Sequence, residues 1–409
     1  MARDVVGASC NGKANGTAPS KPTAEYVAFR RSYLTAFLCA SSSDWLKGPY
    51  IYRFYEARGF QPQEITVLFA AGYMSSAFFG VIAGVMTDAL GRRRMIHAFC
   101  ALYMLHALMH AAQSFLVLLL ARAISGVATA LLFSAFEAWV VAEHRKRFPE
   151  ADLGGLFAVQ TQGNALAAVA SGLAAQGAVA LGGYAGPFAV AMPLLAFCAY
   201  EVGKWPENVG DKQHNLGRVV QTALGTMSSV VARVGLLQCL FEGSMHVFVF
   251  LWTPCLQRSG LWVPHGLVFS LYMLCMMLGG RLCSGRFRPP LGLVYGLGAL
   301  ALLTPSLTAR LWPNLAAFCG FEFCVGCYFP QIALLRSEHL SEASRGATIT
   351  FFRVPFNCIV VAVLIYGRSL PPQGMLLFAS GALTLGSLAY WSLPKQAAAE
   401  GKTVDPKAD

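Results

Sequence analysis

Apolar runs of roughly twenty residues recur along the whole chain, each long enough to cross a ~30 Å hydrocarbon core as a helix, and short polar stretches separate them. The first six run over 27–51, 65–90, 95–112, 115–142, 155–181 and 184–202. The second six run over 230–256, 263–282, 291–309, 315–335, 347–366 and 374–393. Between the two sets lies the longest internal polar stretch, KWPENVGDKQHNLGRVVQTALGTM, at 204–227. This pattern predicts an all-α membrane protein with twelve transmembrane helices in two six-helix halves related by internal repetition. The expected organisation is a disordered cytoplasmic tail at 1–25, an N-terminal half at 26–203, a cytoplasmic linker at 204–228, a C-terminal half at 229–394 and a cytoplasmic tail at 395–409. The Val, Leu and Arg content of the linker allows a short interfacial helix.

Composition supports the membrane reading: 56% of the residues are hydrophobic and 12% charged, against the ~25% charge of an average soluble domain. The formal charge of +11 could point to nucleic acid, so its distribution matters. The basic clusters, Arg92 to Arg94, Arg145 to Arg147, and Arg286 with Arg288, fall in loops on one side of the twelve-span arrangement. That asymmetry is the positive-inside rule; it predicts both termini in the cytoplasm and explains the charge by the inner leaflet, with no nucleic-acid partner. On this topology the sequon at Asn15 lies on the wrong side for glycosylation.

The twelve cysteines are scattered through apolar spans, as buried thiols are. Cys324 and Cys327 form a CxxC without a second pair, a weak redox or zinc signal. His106 and His110 share a helix face at i and i+4 but have no third ligand nearby, so packing is expected there. No metal, cofactor, nucleotide loop or catalytic triad is indicated, and an enzyme is the least supported class.

The charges inside the spans carry the chemistry, because an intramembrane charge is costly unless it faces a cavity or a partner. The stretch ARAISGVATALLFSAFEAW, 121–139, holds Arg122 and Glu137 among small and apolar residues. At 1.5 Å per residue, Arg122 lies about 10 Å below the outer face and Glu137 ~22 Å further down. Asp44, roughly 25 Å along the first span, reaches the level of Arg122, so an Asp44–Arg122 pair is expected. Glu242, Glu322 and Arg353 mark the second half, and Pro355 is expected to break its helix at membrane depth. Arg122 four residues before Gly126 and Glu322 four residues before Gly326 make the clearest echo between the halves. Gly80 and Gly84 have the spacing of a close-packing pair.

The turn GVMTDALGRRR, with Gly84, Asp88, Gly91, Arg92 and Arg93, resembles the signature loop of the major facilitator superfamily. Five further segments, SSDWLKGPYIY, ARAISGVATALLFSAFEAW, LFEGSMHVFVFLWTP, GCYFP and FFRVPFN, resemble the eukaryotic molybdate-anion transporter branch of that superfamily, the domain-containing protein 5-like proteins. The resemblance implies uptake of molybdate at the plasma membrane. One departure is Lys47, where the branch would be expected to carry a neutral glutamine.

Molybdate is a tetrahedral dianion, so its site needs convergent donors. Arg122 and Arg353 lead, with Asn357 and Tyr50 as neutral donors and Lys47 as a point charge. Asp44, Glu242, Glu322 and His246 are candidates for proton coupling or charge pairing. If all ionise, Asp44, Lys47, Arg122, Glu242, Glu322 and Arg353 sum to zero, and protonation of Glu242 or Asp44 would make the cavity positive for a dianion. Glu137 is expected to gate the cytoplasmic side against the arginines of the Asp88 loop. Open alternatives are transport of another anion, sulfate or an organic anion, and a non-transporting membrane sensor on the same fold. The partners expected are the oxyanion and the lipid bilayer, and a monomer is compatible with everything in the sequence.

Overall fold

The computed structural model describes residues 23–210, 217, 221, 224–284, 288–340, 342–367 and 370–393; within helices it describes the backbone alone at 81, 284, 342–347, 349–351 and 353–356. The described residues form helices α1 (Ala24–Trp45), α2 (Ile51–Glu56), α3 (Pro62–Leu90), α4 (Arg92–Met109), α5 (Phe115–Arg147), α6 (Leu153–Gly182) and α7 (Gly186–Gly203) in the first half. The second half comprises α8 (Ser229–Gln257), α9 (His265–Ser284), α10 (Leu291–Leu307), α11 (Leu311–His339), α12 (Glu342–Gly367) and α13 (Pro372–Trp391). Leaving out the short α2, each half contributes six spans.

Local chemistry sets the starts. The Thr23 hydroxyl accepts from the Tyr26 amide at 3.2 Å, Asp152 from Gly155 at 2.9 Å and Ser228 from Val231 at 3.2 Å, and each satisfies an orphan donor of a helix N-terminus. Gln61 and Glu64 close a capping box around Pro62 at the head of α3. Gly91, at φ 103°, separates α3 from α4 in a conformation that glycine adopts without strain.

By length and composition alone, six stretches are apolar enough to cross a membrane. Of the others, α1 carries Arg30, Arg31 and Asp44, α4 begins on three arginines, α10 has 17 residues, and α3 passes only as two pieces bent by 53°. The packing shows the repeat directly. In the first half α3 packs on α5, α4 on α5 and α7, and α1 on α6 and α7; in the second, α9 packs on α11, α10 on α11 and α13, and α8 on α12 and α13. The halves then join through two crossings, α6 with α9 and α3 with α12.

The glycine echo has a physical basis. A Cβ on Gly126 would come within 2.5 Å of the Gly72 carbonyl in α3, and one on Gly326 within 1.9 Å of the Met276 carbonyl in α9. Both glycines let the fourth span of their half approach the second, so Arg122 and Glu322, one turn earlier, occupy equivalent places. Two expectations fail. Among the described residues, a Cβ on Gly80 or Gly84 would meet nothing within 4 Å, because the close α3 contact is made by Gly72 against Gly126 instead. The α12 helix also runs unbroken through Pro355; losing one amide donor does not stop a helix that continues on both sides.

Candidate functional site

The first span stops at Trp45 because Gly48 and Pro49 follow, and the chain turns through Leu46 to Tyr50 before α2. Asp44 in the last helical turn and Lys47 in the loop are thereby set toward α4. The Lys47 ammonium lies 3.8 Å from Asp44 Oδ1 and 3.4 Å from the centroid of the Tyr103 ring. Tyr103, buried in α4, donates its hydroxyl proton to Asp44 Oδ1. Its single proton being used there, the Tyr103 oxygen accepts from Thr129 Oγ1 of α5 at 2.9 Å. The Lys47 side chain is 8% exposed and that of Asp44 34%. Among the described residues, the Lys47 ammonium makes no hydrogen bond.

Arg122 stands two turns before Thr129 on α5 and so shares its face. Its Nε donates to the Leu68 carbonyl at 3.3 Å, its guanidinium carbon lies 5.1 Å from the Phe69 ring centroid, and its plane rests on Gly72, where a Cβ would come within 2.8 Å of Nη2. No described carboxylate lies within ion-pairing distance of it. The expected Asp44–Arg122 pair is therefore not formed: Asp44 is satisfied by Tyr103 and by Lys47 three residues on, while Arg122 is held by α3. Tyr103, whose ring carries the Lys47 ammonium, is thus tied through Thr129 to the α5 face that Arg122 shares.

In the second half Glu242 accepts from the Tyr328 hydroxyl at 3.2 Å, and the Glu242 carbonyl bonds His246 Nδ1 at 2.7 Å. The His246 ring meets Tyr73 of the first half edge-on at 4.9 Å. Asn357 is buried; the Arg353 side chain lies outside the described residues. Glu322 is 5% exposed and makes no hydrogen bond or ion pair among the described residues.

Tyr50 belongs to a junction between the halves. Its hydroxyl donates to Gln176 Oε1 at 2.6 Å, and the Gly266 amide donates to the same oxygen at 3.2 Å and to Tyr50 Oη at 3.3 Å. Around this junction Trp45 packs on Phe269, and Tyr52 and Phe69 on Phe250. The expected neutral donor to a ligand thus has its proton committed to joining the halves. The described side-chain contacts between the halves run from His246 and Tyr73 to the loop after α1 and the start of α9.

The histidine pair is fully engaged in packing: His106 Nδ1 bonds the Ala121 carbonyl at 2.9 Å, His110 Nε2 meets Tyr55 Oη at 3.0 Å, and the His110 ring stacks on Phe188. Among the described residues no group of three His, Cys, Asp or Glu side chains is arranged to hold a metal.

Comparison with known proteins decides the family. A family described as sugar transporters with twelve transmembrane spans matches residues 4–327. A molybdate-anion transporter of Danio rerio is 32% identical over 390 residues, covering 85% of this chain and 80% of its own, and one of Takifugu rubripes is 31% identical over 395 residues, covering 84% and 81%. The chain belongs to the molybdate-anion transporter branch of the major facilitator superfamily. Among solved structures, the nucleoside transporter NupG superposes with a TM-score of 0.68 at 13% identity, covering 89% of this chain and 98% of that one. A POT family transporter in complex with 5-aminolevulinic acid gives 0.71 at 12% identity, covering 88% and 95%. These two agree in fold alone.

In this major facilitator transporter the signature loop is strapped down by the start of the central linker. Asp88 pairs with Arg92 at 2.8 Å. The Glu207 carboxylate accepts from the amides of Arg93 at 2.9 Å and Arg94 at 3.2 Å, capping α4 from the linker side. Asn208 bonds the Arg92 amide through its carbonyl at 2.9 Å and Glu143 through its Nδ2 at 3.1 Å, and Trp205 stacks on Trp139 with centroids 4.0 Å apart. Glu137 lines a cavity of about 430 Å³ with Arg92, Ser134 and Arg145.

Sequence reasoning missed Tyr103, Thr129, Gln176 and Glu207. Thr129 carried one signal, its two-turn spacing from Arg122; the others acquire their contacts only through distant neighbours.

Proposed function

We propose that this transporter carries molybdate inward across the plasma membrane by alternating access, and that Lys47 and Arg122 form the first-half side of its substrate site. The supporting observation is that both cations keep most of their N–H donors unspent: Lys47 rests on an aromatic face and Arg122 commits only its Nε, to a carbonyl. A tetrahedral dianion needs several convergent, charge-assisted donors, and such bonds are the strong ones in a site screened from water. The name of the relatives, molybdate-anion transporter, agrees with this chemistry. Arg353 and Asn357 complete the site from α12 in this reading. We further propose proton coupling, with Glu322 as the acid that takes the proton, since it is a buried carboxyl group of the second half that makes no hydrogen bond or ion pair among the described residues.

Counterflow of radiolabelled molybdate in proteoliposomes tests the reading. Arg122→Ala removes charge-assisted hydrogen bonds of about 1.5–3 kcal/mol each, so half-saturation should rise at least tenfold, each tenfold being about 1.4 kcal/mol. Exchange of sulfate but not molybdate by the intact protein would move the substrate assignment and leave the fold untouched.

A further inference from the structure

We infer that Tyr103 is a positioning residue that keeps Lys47 available to substrate, and that through it the site distinguishes dianions from monoanions of the same shape. This rests on the oxyanion reading of the site and deepens it. Tyr103 meets both members of the Asp44–Lys47 pair with different parts of one side chain. Its hydroxyl takes Asp44, itself ordered by Thr129, and its ring face takes the ammonium 3.4 Å from the centroid. Asp44 Oδ1 is 3.8 Å from the Lys47 nitrogen, inside ion-pairing range and outside hydrogen-bonding range.

The consequence is electrostatic. A lysine three residues from an aspartate in a nearly buried place would ordinarily close into a hydrogen-bonded ion pair and spend its charge there. Here the carboxylate receives its hydrogen bond from a neutral phenol, and the ammonium is held by the ring quadrupole, an interaction that leaves its N–H groups free to point elsewhere. An anion entering beside Arg122 then meets a second cation whose donors are unspent. Tyr103 is 2% exposed and lies behind the pair in α4, so it acts through Lys47 and Asp44 and touches no substrate in this arrangement.

The second cation matters most to the second negative charge. Molybdate and perrhenate are tetrahedral oxyanions of similar size carrying two charges and one. Loss of Lys47 from the site should therefore weaken molybdate more than perrhenate, whereas a general loss of packing would weaken both alike.

The test is counterflow of molybdate and of perrhenate by the full-length protein in proteoliposomes, for wild type, Tyr103→Phe, and Tyr103→Phe combined with Asp44→Asn. Tyr103→Phe keeps the ring and removes the donor, so Asp44 should capture Lys47. The molybdate half-saturation should rise about tenfold, the equivalent of one charge-assisted hydrogen bond, with the maximal rate and the perrhenate half-saturation little changed. Adding Asp44→Asn removes the captor and should restore most of the molybdate preference. An unchanged molybdate-to-perrhenate ratio in Tyr103→Phe, or a double variant no better than the single, overturns the inference, and equal loss for both anions does so by assigning Tyr103 to packing. Wild-type protein that exchanges neither oxyanion would sink the oxyanion reading and this inference with it, an outcome distinct from wild-type exchange with an unaltered variant.

Discussion

The ammonium of Lys47 rests on the face of Tyr103, 3.4 Å from the ring centroid, instead of closing onto Asp44. One residue that departs from the expected glutamine is thereby accommodated without being neutralised. Together with Arg122 it places two cations in the first half of the bundle, and Glu242 and Glu322 lie in the second.

Gly126 is where α5 meets α3, and its substitution should be costly. Gly126→Ala places a Cβ within 2.5 Å of a backbone carbonyl, an overpacking penalty of about 1–3 kcal/mol. Gly84→Ala, with nothing among the described residues within 4 Å, should leave stability within about 0.5 kcal/mol or raise it slightly. Thermal unfolding in detergent compares the two; equal losses would mean that the α3–α5 approach is not what Gly126 serves.

Any transport state open at the Tyr50 end of the bundle has to break the Tyr50–Gln176–Gly266 junction. Tyr50→Phe removes hydrogen bonds worth about 0.5–1.5 kcal/mol each and should raise the population open at that end severalfold. Labelling by an impermeant thiol reagent of a cysteine replacing His265, buried beside Tyr50 at the junction, should accelerate accordingly. No change in labelling rate would separate this junction from the gate.

Glu207 ties the linker to the signature loop. Glu207→Ala removes a carboxylate cap from α4, a loss of about 1 kcal/mol, and with it the contacts to Arg93 and Arg94 at 3.8 and 3.7 Å. Limited proteolysis should cut the 204–228 segment faster in the variant, and Glu207→Gln should be intermediate. Protection equal to wild type would show that Trp205 and Asn208 hold the strap alone.

Proton coupling through Glu322 makes a directional prediction. Glu322→Gln should keep counterflow, which needs no net proton movement, and abolish the stimulation of molybdate uptake by an inward proton gradient. Uptake by wild type that ignores both the gradient and a protonophore would remove the proposal altogether.

The spans, the two halves and the loop turn at Gly91 were all readable in the chain, because hydrophobic length, glycine conformation and the placement of basic residues are properties of short segments. The Arg122–Gly126 and Glu322–Gly326 echo was readable for the same reason, and close packing of both glycines gives it meaning. Pairings were not readable. Counting residues along a helix gives the depth of Asp44 and of Arg122 but not the direction each faces around its axis, so equal depth suggested a pair that the bundle does not make. Tyr103 lies 59 residues from Asp44 and 26 from Thr129, and Glu207 lies 114 from Arg93. Only the packing of α1, α4 and α5 together, and the return of the linker onto the loop, decided which charges meet and which do not.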